Sequence, residues 1–75
     1  METVKQAYEK IEKLKDGEHC YFNMLEGGGF VCYKCNGMYL LFEIPLYGGV
    51  ERYEGTYFEN QLNDLVNYAF SLTQF

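Results

Sequence analysis

The dipeptide Asn36-Gly37 constrains the fold of this chain more than any other feature. It separates two apolar runs, Phe30 to Cys35 and Met38 to Leu46. A two-residue type I′ turn needs positive φ at both central positions, and Asn-Gly adopts it readily. The spacing predicts a tight antiparallel hairpin, with Cys35 opposite Met38, Tyr33 opposite Leu40 and Val31 opposite Phe42.

The flanking glycine pairs extend this hairpin into a meander. Glu18 to Leu25 reads as a strand ending at Gly27-Gly28-Gly29. A turn at Gly27-Gly28 sets Met24 opposite Val31, Phe22 opposite Tyr33 and Cys20 opposite Cys35. One face then holds Cys20, Phe22, Met24, Val31, Tyr33, Cys35, Met38, Leu40, Phe42 and Ile44 without a charge, and is expected to be the core face. A slip of one residue would bring His19, Lys34 and Glu43 into it, and register follows such patterns. A turn at Gly48-Gly49 pairs Tyr47 with Val50, Ile44 with Tyr53, Phe42 with Gly55 and Leu40 with Tyr57. It also sets Glu43 against Glu54, a like-charge pair that counts against this register. Pro45 has no N–H and must sit where no ladder bond is needed.

A helix is expected at each end. Thr3-Val-Lys-Gln6 has the form of a capping box, and Val4, Ala7, Tyr8, Ile11 and Leu14 recur at helical spacing over residues 3–15. Gly17 suits the position just past that helix. Phe58, Leu62, Leu65, Val66, Ala69 and Leu72 form the stripe of the second helix, flanked by Tyr68 and Phe75 and capped by Thr56 or Asn60. The expected fold is a single two-layer α+β domain over residues 1–75. It has an N-terminal helix, a four-stranded antiparallel meander and a C-terminal helix, with both helices on one sheet face.

Charge narrows the partners. The net charge of −5 argues against direct nucleic-acid binding and an anionic membrane surface. A basic or nucleic-acid-binding protein suits it better. No run is long enough to span a membrane, and residues 1–15 lack the apolar core of a signal peptide. An odd number of cysteines, 3, cannot close a complete disulfide framework within one chain. Reduced thiols in a cytoplasm are the simplest account.

The chemical motif is Cys32-Tyr-Lys-Cys35. With His19 and Cys20 it could make a Cys₃His zinc set. Residues three apart in a regular strand point to opposite faces, however, so the hairpin opposes this unless the strand breaks into a knuckle. His19 has no serine placed beside it, and the glycine run lacks the lysine and helix of a phosphate loop. The expectation is no enzyme and no cofactor.

The other sheet face is the expected binding site. It would carry Tyr21, Phe30, Lys34, Tyr39, Leu41, Arg52 and Glu54, an apolar and aromatic surface with a polar rim. The first reading is a small acidic protein-binding module, with a homodimeric assembly protein as its variant and a zinc domain as the alternative. Small, acidic, tyrosine-rich domains of this layout are similar in general style to phage-borne inhibitors of bacterial defence proteins, anti-CRISPR proteins among them. That likeness, of size, charge and layout, implies inhibition by binding.

Overall fold

A computed structural model of the chain describes residues 2–25, 28–46 and 49–72. The first helix, α1, spans Val4–Glu12. The Thr3 hydroxyl accepts from the Gln6 N–H at 3.1 Å and the Gln6 side chain accepts from the Thr3 N–H at 2.9 Å, so the expected capping box is present. The helix stops short of residue 15, and Gly17 lies in the loop beyond it at φ 90°.

Four strands follow: β1 (His19–Leu25), β2 (Gly28–Cys35), β3 (Met38–Ile44) and β4 (Arg52–Phe58). They form one antiparallel sheet in the order β1-β2-β3-β4. A 3₁₀ turn, Glu59–Gln61, leads into α2 (Leu62–Ser71). Both helices lie on one face. Ala7 and Ile11 of α1 and Leu62, Leu65, Val66 and Ala69 of α2 share a core with side chains of the sheet. Phe58 belongs to β4 rather than to the stripe of α2 and is exposed, and Leu72 is exposed just past the helix.

The central hairpin has the predicted register. Asn36 and Gly37 take φ of 51° and 74°, and Cys35 faces Met38, Tyr33 faces Leu40 and Val31 faces Phe42. The Asp16 carboxylate accepts from the Gly37 N–H at 3.2 Å and ties the turn to the loop after α1.

The outer registers differ from expectation. Cys20 pairs with Cys32, Tyr21 with Val31 and Phe22 with Phe30, a shift of three residues from the predicted β1–β2 alignment. Glu18 continues this ladder by accepting from the Lys34 N–H at 2.9 Å. Asn23, at φ 51°, lies in a bulge that shifts the register by one residue, so that Leu25 meets Gly28. Gly29 is required there: at φ 155° an added Cβ would lie 2.5 Å from Met24 Sδ and 2.8 Å from Met24 Cα. Between β3 and β4, Phe42 faces Tyr53 and Leu40 faces Thr56, with an irregularity at Glu54. Glu43 therefore faces Arg52 and pairs with it, which removes the like-charge contact. The Tyr47–Val50 pairing, the Gly48 and Gly27 turn positions and Phe75 lie outside the described residues.

The covered face is the one expected to be open. Phe30, Cys32, Tyr39 and Leu41 are buried under the helices together with Phe22. Val31, Tyr33, Leu40, Phe42 and Ile44 alternate to the opposite side, which no helix covers. An odd shift of β1 against β2 is what lets Cys20 and Phe22 stay with the core while the β2 and β3 rows exchange faces.

Candidate functional site: the uncovered sheet face

Four of the predicted binding residues are corrected by this exchange. Phe30, Tyr39 and Leu41 are core side chains, with exposures of 1%, 3% and 0%. Lys34 is buried beside them, and its ammonium meets the Glu59 carboxylate at 2.9 Å and lies 4.8 Å from the centre of the Tyr39 ring. That carboxylate raises the Lys34 pKa above its ordinary value. A charged residue is tolerated on the core face because it reaches the sheet end, where Glu59 supplies a counter-ion.

Arg52 and Glu54 also leave the expected face. Arg52 pairs with Glu43, which shares the parity of Leu41, and Glu54 accepts from the Tyr68 hydroxyl of α2 at 3.0 Å. Both belong to the rim of the helix-bearing side. Tyr21 alone of the predicted set stands on the uncovered face.

That face is built as a row of rings. His19 meets Tyr21 edge-on at 5.7 Å and Tyr33 at 5.2 Å. Tyr33 meets Phe42 at 5.5 Å, and Phe42 meets Tyr53 at 5.6 Å. These spacings lie in the favourable range for aromatic pairs, and each ring comes from a neighbouring position of the ladder. Val31 sits between its cross-strand partners Tyr21 and Phe42 and is fully buried although no helix covers it. The rings therefore stand over it and exclude water. Leu40, Ile44, Thr56 and Phe58 extend the surface.

Three of its hydroxyls are engaged. The Tyr33 hydroxyl donates to Glu51 at 3.4 Å, and the Tyr53 and Thr56 hydroxyls pair with each other. Burial, then the Glu51 charge, raises the Tyr33 pKa. Val31, Tyr33, Phe42 and Tyr53 were assigned by sequence to the core. The Glu43–Glu54 clash signalled the change of β4 register to Glu43 opposite Arg52, but not the exchange of faces.

Both sheet edges are blunted. Ladder alternation turns the Tyr21 carbonyl and the Asn23 N–H away from β2. The Lys10 ammonium donates to that carbonyl at 2.7 Å, and the Glu2 carboxylate accepts from that N–H at 2.6 Å. Lys10 and Glu2 also pair at 2.6 Å. On β4, the Gln61 side chain accepts from the Phe58 N–H at 3.0 Å, and the Glu54 irregularity interrupts the strand. Pairing of strands from another chain is thereby disfavoured at either edge.

The alternative zinc set is divided between the two faces. His19 and the exposed Cys35 lie on the uncovered side, and Cys20 and Cys32 lie on the helix side. Among the described residues no three His, Cys, Asp or Glu side chains come together as a metal site. Burial raises the Cys20 thiol and pushes Cys32 up to about 12, so both are neutral thiols at neutral pH. Adjacent positions send His19 and Cys20 to opposite faces, which separates the base from the thiol. Among the described residues no helix is long and apolar enough to cross a membrane.

No protein-family model, no curated protein and no solved structure matches this chain.

Proposed function

We propose that this chain is a non-catalytic protein-binding module whose site is the uncovered sheet face. The observation that carries this reading is the aromatic row from His19 through Tyr33 and Phe42 to Tyr53, on a face that no helix covers. Apolar surface left in water costs about 25 cal/mol per Å², and contiguous exposed patches of this kind mark interaction sites. Tyrosine suits such a surface, because it supplies contact area at little entropic cost and keeps a polar tip. Inhibition of another protein by covering its surface is one role such a module performs, and the identity of the bound chain decides it.

The test is site-specific photocrosslinking in cells that produce the protein. A photoreactive residue replaces Tyr53 on the uncovered face in one version and Glu9 on the outer side of α1 in another. The expected result is a covalent adduct to a polypeptide from position 53 and none from position 9. Equal adducts from both positions, or none from position 53, overturn the proposal.

A further inference from the structure

The turn that fixes the central hairpin also places a reactive pair in water. Of Asn23, Asn36, Asn60, Asn63 and Asn67, only Asn36 precedes a glycine. Asn36 is exposed, and Gly37 has no Cβ to shield its backbone nitrogen. That nitrogen and the Asn36 Cγ can close a five-membered ring. We infer that Asn36 is a site of spontaneous side-chain amide hydrolysis, with water as the second reactant, and that the Asp16 carboxylate restrains the reaction by holding the Gly37 N–H.

Ring closure begins when the Gly37 N–H gives its proton to solvent base. The nitrogen lone pair forms an N–Cγ bond and the Asn36 Cγ–Nδ2 bond breaks. The leaving nitrogen takes a proton from water and departs as ammonia. Water then adds to either carbonyl of the cyclic imide and cleaves its C–N bond. Opening at Cγ leaves aspartate at position 36. Opening at the main-chain carbonyl leaves isoaspartate, with the chain routed through the side-chain carboxyl. No electron is gained or lost.

Two features of the fold restrain this step. The Asp16 carboxylate accepts from the Gly37 N–H at 3.2 Å. An anionic acceptor favours the protonated nitrogen and opposes formation of the attacking anion. The turn is the second restraint. Asn36 and Gly37 stand at φ 51° and 74°, as in a type I′ turn, whose first central residue has ψ of about +30°. Ring closure needs Asn36 Cβ and Gly37 N nearly eclipsed about the Cα–C bond, far from that geometry. The turn must therefore open locally first. Asp16 ties it to the loop after α1, and the Cys35–Met38 pair closes its base.

The products change the hairpin. Asp-Gly also suits a type I′ turn, but it adds a carboxylate near those of Asp16 and Glu59. Glu59 Oε1 lies 3.4 Å from where a Cβ on Gly37 would stand. Isoaspartate adds one atom to the main chain. In a two-residue turn that atom disturbs the Cys35–Met38 register on which both sheet faces depend.

The experiment is peptide mass spectrometry of the whole folded chain aged in mildly alkaline buffer, compared with Asp16→Ala and Asp16→Asn. Wild type unfolded in guanidinium chloride supplies the free-chain rate, and enzymatic carboxyl methylation detects isoaspartate. The expected result is amide-to-acid conversion at Asn36, faster in the unfolded chain than in the fold, and slower conversion at Asn60, Asn63 and Asn67. Asp16→Ala is expected to raise the folded rate at Asn36 about threefold to tenfold, the range for losing one water-exposed hydrogen bond to a charged acceptor. Asp16→Asn, which keeps an acceptor without the charge, should fall between. Circular dichroism checks that both variants are folded. An unchanged or slower rate in Asp16→Ala overturns the restraint. Equal acceleration at Asn60, Asn63 and Asn67 assigns the effect to general loosening and overturns it as well. Conversion at Asn36 no faster than at the other asparagines, even in the unfolded chain, overturns the site.

Discussion

Cys20 lies directly opposite Cys32 across the β1–β2 ladder. Both thiols therefore sit on the helix-covered side, while Cys35 stands exposed on the other. The thiolate is the reactive form, and burial pushes Cys32 up to about 12. Brief iodoacetamide treatment of the native protein is expected to label Cys35 first and Cys32 last, as read by peptide mass spectrometry. Labelling of Cys32 as fast as Cys35 would show that β2 presents its other face. The sign of the pH effect follows from the same shift. An unfolded thiol titrates near 9.0, so the Cys32 contribution to stability is complete below that pH and is lost as pH rises towards 12.

Exchange of the two faces separates stability from binding. Leu41 is a fully buried core residue and Tyr53 is 59% exposed. Leu41→Ala is expected to lose about 2–5 kcal/mol in urea unfolding, and Tyr39→Ala a comparable amount. Tyr53→Ala is expected to change stability by about 0.5 kcal/mol or less while abolishing association. The opposite ranking would restore Tyr39 and Leu41 to an open surface.

Gly29 holds the β1 bulge in place. A methyl group there would press on the Met24 backbone at 2.8 Å, at a φ of 155°. Gly29→Ala is expected to cost more than about 1 kcal/mol in chemical unfolding. It should also broaden the amide resonances of Asn23 and Met24. A neutral effect would mean that the bulge is not a fixed part of the fold.

Glu2 makes the β1 edge pH-sensitive. Burial alone would raise its pKa, but the Lys10 ammonium and the Asn23 N–H outweigh burial and lower it below the ordinary 4.5. A depressed carboxylate stabilises the fold above its unfolded pKa, and that contribution is lost as pH falls through the lower folded value. Glu2→Gln is expected to be less stable than wild type at about pH 7, with the difference vanishing at about pH 2. An equal deficit at both values would assign the effect to packing instead of charge.

Local signals in the sequence reached the element order, the Thr3–Gln6 capping box and the Asn36-Gly37 hairpin, because each depends on neighbours a few residues apart. The two-layer arrangement followed from the apolar stripes of the helices, and Ile11, Leu65 and Val66 are buried as their spacing requires. The face that the helices cover was not legible. Both rows of the β2–β3 hairpin are apolar, so period-two alternation fixes which residues share a side but not which side is inside. Absence of charge favoured the wrong row, since Lys34 and Glu43 stand on the row that is covered. Tertiary structure reverses that preference through partners distant in sequence. Glu59 neutralises Lys34, Arg52 neutralises Glu43, and the Asn23 bulge with a three-residue shift of β1 keeps Phe22 against Phe30 in the core. The sequence by itself determined the strands, the turn and the existence of an apolar second face. Only long-range pairing decided that the rings of Tyr33, Phe42 and Tyr53 would stand on the face that no helix covers.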